Sequence, residues 1–252
     1  MDSFRHKGKV AIVTGAGSGI GRATALRLAQ EGARVIGCDV NPTALSETKK
    51  LFADSHLEGE FVTADVTSQE DVDRLVAAAD SRVDILANVA GIMDHFTPLG
   101  DLDDSLWNRV MDINLNGVMR LTRAVLPKML SSGGGAIVTV ASEAALSAGA
   151  AGTAYTTSKH AVIGLVRSVA FYYGPQNIRS NAVLPGGVAT NIGASSNPSV
   201  EWAFERAKAK LAAMAATAEP DQIATVISWL ACDEASKVNG ALVTADGGWS
   251  AA

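Results

Sequence analysis

Cysteine is nearly absent. Cys38 and Cys232 are the two among 252 residues, too few for a disulfide framework and without metal-ligand spacing. They read as small buried hydrophobes. The four histidines, His6, His56, His95 and His160, form no metal pattern either, so no metal is expected. No apolar run approaches the ~18 residues of a membrane span. The opening Met1-Asp2-Ser3-Phe4-Arg5-His6-Lys7 lacks the apolar centre of a secretory signal. Positive charge is not in excess: the formal net charge is -5, which gives no electrostatic footprint for nucleic acid. There is no internal repeat and no low-complexity tract. These absences point to a soluble, cytoplasmic protein with neither nucleic acid nor membrane as partner.

What is present is a large apolar fraction, 48% hydrophobic against 19% charged, enough for a sizeable globular core. Short β-branched runs alternate with longer helical patterns. Strands are predicted over 10–14, 34–39, 60–63, 83–87, 136–140, 178–184 and 241–244. Helices are predicted over 20–31, 43–54, 69–79 and 105–130, and a further helix carries Tyr155 and ends near residue 173, before Gly174-Pro175. Strands apolar on both sides, each followed by a helix, indicate a parallel sheet covered on both faces. Right-handed crossovers then give an α/β fold: a single-domain, Rossmann-type, doubly wound parallel sheet of about seven strands with helices on both faces. No linker divides the chain, so 1–252 reads as one domain. The stretch 191–218, with the amphipathic Glu201-Trp202-Ala203-Phe204-Glu205-Arg206, reads as an insertion that forms a substrate lid.

Directly after the first strand stands Thr14-Gly15-Ala16-Gly17-Ser18-Gly19-Ile20-Gly21. Glycines there permit a tight turn and let backbone N–H groups approach a pyrophosphate. The helix that follows offers its N-terminal donors and dipole to the anion. Asp39 ends the second strand about 20 residues on, where an acid can hold a ribose diol. The same carboxylate repels the roughly two negative charges of a ribose phosphate. Arg22 is the only nearby cation. The charge pattern therefore favours NAD over NADP.

Tyr155 and Lys159 are one helical turn apart and share a helix face. An ammonium beside a phenol favours the phenolate and lowers a pKa that is otherwise about 10. That is a way to make a tyrosine an acid or base near neutral pH. A Tyr-x-x-x-Lys spacing alone is also a common accident of sequence.

Taken together, these motifs resemble the short-chain dehydrogenase/reductase family, from Val10 to Gly248. The family's glycine motif matches Thr14 to Gly21. Its Asn-Asn-Ala-Gly motif appears as Asn88-Val89-Ala90-Gly91, with Val89 in place of the second asparagine. The active-site tetrad matches Asn114, Ser142, Tyr155 and Lys159. The resemblance implies an NAD(P)-dependent oxidoreductase in which Tyr155 is the general acid or base. Lys159 would lower its pKa and bind the nicotinamide ribose, Ser142 would hold the substrate oxygen, and Asn114 would hold a water in a proton path. It further implies cofactor contacts from Gly15, Ser18, Gly19, Ile20, Gly21, Asp39, Val40, Asp65, Val66, Asn88, Ala90 and Gly91. Pro185, Gly186, Val188 and Thr190 resemble the segment that holds the nicotinamide amide. Met93, His95, Ile192 and Trp202 are candidates for substrate contact. Assembly as a homotetramer is a further expectation of the resemblance.

The leading reading is hydride transfer between NAD(H) and a small secondary alcohol or ketone. One alternative is an NADPH-dependent 3-oxoacyl-[acyl-carrier-protein] reductase. The basic residues that the resemblance associates with that acidic partner are replaced here by Gly133-Gly134-Gly135 and Gln176. Another alternative is a non-catalytic dinucleotide sensor, which would be expected to lack the tyrosine or the lysine. A serine hydrolase built on Ala145-Leu146-Ser147-Ala148-Gly149 would need an acid and then a histidine later in the chain. His160 is the only later histidine, and no acid lies between it and Ser147.

Overall fold

The computed structural model describes residues 4–194, 197–214 and 216–251. Residues 1–3 and 252 of the single-domain reading, and residues 195, 196 and 215 of the lid, lie outside the described residues. Seven strands form one parallel sheet: β1 (Val10–Thr14), β2 (Arg34–Asp39), β3 (Gly59–Thr63), β4 (Ile85–Asn88), β5 (Gly135–Val140), β6 (Ile178–Pro185) and β7 (Leu242–Ala245). Their order across the sheet is β3-β2-β1-β4-β5-β6-β7. The winding direction reverses between β1 and β4, and such a switch point opens a crevice at the carboxyl ends of the strands.

The period of two along each strand explains why both faces are covered. Ala11, Val13, Val35, Ile85, Ala87 and Val138 point to one core. It is closed by helices α1 (Gly19–Gln30), α2 (Pro42–Asp54) and α9 (Pro220–Ala231). The intervening Ile12, Ile36, Leu86 and Ile137 point to the other. That core is closed by α3 (Gln69–Ala77), α5 (Val118–Ser131) and the end of α6 (Thr153–Tyr173). A one-residue slip of register would exchange the two sets, so the packing of both faces fixes it. Short helix α7 (Asn191–Ala194) and helix α8 (Glu201–Leu211) follow β6.

Two elements differ from the sequence pattern. The helix predicted over 105–130 is interrupted. Helix α4 (Asp104–Met111) passes into a π turn over Asp112–Gly117 before α5 begins. At that turn the Asn114 side chain binds another segment. Its Oδ1 accepts from the Ile92 amide at 2.9 Å, and its Nδ2 donates to the Ile92 carbonyl at 3.0 Å. A π turn of this kind often marks a functional position. Helix α9 is absent from the predicted elements. Its signals are nevertheless local: Ile223, Ile227 and Leu230 lie on one face, Pro220 opens the helix, and Glu219 with Gln222 forms a capping box. Asp221 in its first turn also receives the Arg27 guanidinium of α1 at 2.7 Å.

Candidate active site

The crevice at the switch point is a cleft of about 650 Å³. Gly15, Ser18, Gly19, Ile20, Gly21, Asp39, Val40, Asp65, Val66, Ala90, Gly91, Thr190 and Ile192 all line it. Its floor exists because two backbone segments nearly touch. A Cβ on Gly21 would lie 2.0 Å from the Gly15 carbonyl oxygen, so no side chain fits there. Gly15 itself has φ +67, a conformation open to glycine at little cost. The Thr14 hydroxyl oxygen accepts from the amides of Val89 at 2.9 Å and Ala90 at 3.0 Å, tying the glycine turn to the segment after β4. The N-terminal end of α1 has no acidic residue in its first turn and no side-chain cap from Ser18. Its free N–H groups make an anion site.

At one end of the cleft, Asp39 is held by two amides. Its Oδ2 accepts from Gly17 at 3.0 Å and its Oδ1 from Asn41 at 2.9 Å. Any side chain at Gly17 would meet this carboxylate, since a Cβ there would lie 2.7 Å from Oδ2. Arg22, the one cation the sequence places nearby, is already engaged. It donates to Glu47 at 2.7 Å, to Thr48 at 3.0 Å and to the Gly17 carbonyl.

The catalytic candidates come together beyond Gly91. The Tyr155 ring is buried, packed by Ala144 and Ala151 with Met93 beside them. The Lys159 ammonium lies 5.4 Å from the Tyr155 ring centroid and donates to the Val140 carbonyl at 2.9 Å. Ser142 caps the short turn Glu143–Ala145 by accepting from Ala144 at 3.1 Å, and its hydroxyl lowers the Tyr155 phenol. A Cβ on Gly91 would be 3.2 Å from Asn114 Oδ1 and 3.6 Å from the Lys159 ammonium. One glycine backbone thus separates the cleft from both residues.

Burial sets the electrostatics of the cofactor-free site. In the folded chain, burial pushes the Tyr155 phenol up to about 12. The Ser142 hydrogen bond pulls it down and the Asp94 charge pushes it further up. Burial drives the Lys159 ammonium down to about 8. Desolvation disfavours the charged form of each group, and it outweighs their neighbourhood.

Several predicted contacts lie elsewhere. Asn88 is buried, its amide 3.3 Å from the Thr122 hydroxyl and 3.4 Å from that of Thr139. It braces β4 from beneath rather than lining the cleft. Pro185 ends β6 opposite Ala245, and Gly186 backs on Asp246. Val188 packs against the first core and pairs with Ala218. The Thr190 hydroxyl meets the Val188 carbonyl at 3.4 Å. The His95 carbonyl accepts from the Ser199 amide at 3.0 Å, so His95 anchors the segment before α8. Trp202 is 65% exposed and borders an outer groove with Phe96, Pro98 and Thr156, which also includes Ala151 of the Tyr155 cluster. Phe204, about 200° further round the helix, packs edge-on against Phe96 at 5.3 Å instead. Ser147 donates to Glu143 at 2.5 Å and His160 is exposed, so no hydrolase constellation exists around Ser147.

Two residues near the site have no counterpart among the sequence candidates. Asp94 is fully buried; its Oδ1 accepts from Gly152 at 2.9 Å and its Oδ2 from Tyr155 at 2.8 Å. The available signal was indirect: α6 begins at Gly152-Thr153 with no acid in its first turn and no side-chain cap of its own, so its free amides needed a distant acceptor. Glu143, next to Ser142, is 1% exposed and meets the Lys210 ammonium of α8 at 2.8 Å. It is the one ion pair between 191–218 and the rest of the chain among the described residues. The other carboxylate oxygen, Oε2, is buried without a partner. Nothing in the sequence connects residues so far apart.

A family model described as enoyl-(acyl carrier protein) reductase matches residues 15–250. The chain is 38% identical over 259 residues to 3beta-hydroxysteroid dehydrogenase 2 of Eggerthella lenta, with 100% of each covered. It is 41% identical over 249 residues to the short-chain dehydrogenase/reductase cdmF of Talaromyces verruculosus, with 96% of each covered. Among solved structures, levodione reductase matches with a TM-score of 0.89 and 34% identity, covering 98% of this chain and 99% of that one. A structure described as an NAD(P) dependent gluconate 5-dehydrogenase from Beutenbergia cavernae, with NADP bound at low occupancy, matches with a TM-score of 0.87 and 34% identity. It covers 99% of this chain and 100% of that one.

The Glu143–Lys210 pair gives a stability prediction. Lys210→Met leaves a buried carboxylate uncompensated and should lower the unfolding free energy by about 1–3 kcal/mol, less than for a fully buried pair because Lys210 is partly exposed. Adding Glu143→Gln should recover part of that loss in a double-mutant cycle. Urea titration measures both; a single variant as stable as the parent would show that the pair does not hold the lid.

Proposed function

Because the chain belongs to the short-chain dehydrogenase/reductase family, a family of oxidoreductases, we propose that it transfers a hydride between NAD(H) and a small secondary alcohol or ketone. The observation that carries this reading is the convergence of Tyr155, Ser142 and Lys159 just beyond Gly91, at the end of a glycine-floored cleft. The residues present fit a nicotinamide dinucleotide: Gly17, Gly19 and Gly21 have no room for a side chain, and α1 points free amides into the cleft. When bound, that group accepts or supplies the hydride. The chain's own residues position the substrate and manage one proton.

In this reading Ser142 holds the substrate oxygen and Tyr155 exchanges the proton with it. At about 12, the phenol is ionised in only about one molecule in 10⁵ at pH 7, so the free site holds the proton-donating form. Alcohol oxidation needs the phenolate, which positive charge close to the ring favours. Lys159, fixed by the Val140 carbonyl, supplies part of that charge. Met93, Ala144, Ala150 and Ala151 around the ring suit an apolar substrate body. The segment 191–218 serves as the lid, anchored by Lys210 on Glu143.

The NAD preference rests on Asp39 and on Arg22 being engaged elsewhere. A ribose phosphate at this end of the cleft would face the Asp39 carboxylate, while the Arg22 guanidinium is engaged by Glu47, Thr48 and the Gly17 carbonyl. The relative with bound NADP and the acyl-carrier description of the family model favour the second reading, an NADPH-dependent 3-oxoacyl reductase. A non-catalytic sensor has less support, because both Tyr155 and Lys159 are present and adjacent. Homotetrameric assembly belongs to the proposal as a family expectation.

Tyr155→Phe should lower kcat for a secondary alcohol by about 10²–10⁴-fold while NADH affinity, read by fluorescence, stays within about threefold. Turnover near that of the parent would remove Tyr155 from the proton-transfer role. The parent should bind NADH at least about tenfold more tightly than NADPH, equivalent to about 1.4 kcal/mol, and Asp39→Ala should narrow that ratio. Tighter NADPH binding by the parent would reverse the cofactor assignment.

A further inference from the structure

Asp94 lies in the loop that joins β4 to α4, between Met93 on the Tyr155 ring and two successive residues, His95 and Phe96, with φ of 56 and 54. Positive φ at two consecutive non-glycine residues is a conformation that the surroundings must hold in place. Several contacts do so. Thr97 donates through its amide at 3.0 Å and its hydroxyl at 2.6 Å to the Asp94 carbonyl. The Thr97 hydroxyl also meets the Ser199 hydroxyl at 2.8 Å, and Phe96 packs on Phe204 of α8. The loop therefore touches the lid on one side and the start of α6 on the other.

We infer that Asp94 is a positioning residue for the reaction, which fixes the turn bearing Tyr155 and sets a buried carboxylate against the backbone of the residue that carries the phenol. The geometry supports both parts. The two carboxylate oxygens accept from Gly152 and Tyr155, the first-turn amides of a helix that has no cap of its own. Gly152 leaves no room for an alternative, since a Cβ there would lie 2.7 Å from either oxygen. The groups facing the Tyr155 phenol are few. Lys159 comes from its own helix and Ser142 from the end of β5. Asn114, uncharged, comes from the π turn. Glu143 is already paired with Lys210. Asp94 is the charged group that raises the phenol.

Removing this charge while keeping the fold should move the alkaline rise of kcat/KM for alcohol oxidation to lower pH. The sign follows from the base form: a phenol that loses a neighbouring anion ionises more easily. Asp94→Asn should shift the profile down by about half a unit or more, and Asp94→Ser should do so too if the asparagine variant does not fold. Thr97→Val loosens the same loop without changing charge; it should lower kcat with the profile in place. A purely structural cap predicts loss of rate at every pH with no shift in any variant, and that result would overturn the inference. So would an equal shift in Thr97→Val. The inference rests on Tyr155 as the acid–base group. Tyr155→Phe, assayed in parallel, separates the two failures: turnover retained there defeats the Tyr155 assignment, whereas turnover lost with an unmoved Asp94→Asn profile defeats only the role of Asp94.

Discussion

Burial of one phenol and one ammonium in the same place is the constraint on which the site depends. Tyr155 and Lys159 are adjacent and both nearly inaccessible to water. Removing water penalises the charged form of each, so the phenol is driven up to about 12 and the ammonium down to about 8. Ser142 pulls the phenol part of the way back down, and Asp94 pushes it further up. The free chain thus holds its proton on Tyr155, and in the proposed reading positive charge bound in the cleft favours the base form.

The fold brings these groups together from four places in the chain. Gly91 and Asp94 follow β4, Asn114 stands in the π turn after α4, Ser142 follows β5, and Tyr155 and Lys159 open α6. The parallel order β1-β4-β5-β6 aligns the carboxyl ends of these strands, so the segments after β4 and β5 are neighbours. The π turn matters here because it frees the Asn114 amide to bind Ile92 and Ser158, which fixes the Gly91 segment against α6. The segment 191–218 joins through two routes: Lys210 onto Glu143 beside Ser142, and Ser199 with Phe204 onto the Asp94 loop.

Local signals made much of this legible in the sequence. The sheet could be read because its strands are apolar on both sides. The glycine turn and Asp39 could be read because a tight backbone approach and an acid at a strand end are local requirements. Tyr155 and Lys159 could be paired because one helical turn relates them. What could not be read depends on distant contacts. Asn88 carries a familiar motif yet binds Thr122 and Thr139 in the interior. Trp202 looked like a lid contact, but the rotation of α8 turns Phe204 inward to Phe96 instead. Asp94 and Glu143 are ordinary acids in sequence, and their roles appear only when a helix start and a lid lysine reach them. Helix α9 had its periodicity in plain view and was still outside the strand-helix alternation that organised the rest.

The most direct test is the ionisation of the Tyr155 phenol. The chain has three tyrosines, so ring-labelled tyrosine gives a spectrum in which Tyr155 can be assigned by comparison with Tyr155→Phe. Its NMR titration in the cofactor-free protein should place the phenol well above 10, near 12, and addition of NAD⁺ should lower it. A phenol that titrates at or below 10 in the free protein would contradict the claim that burial, rather than Lys159, sets the resting state of the site.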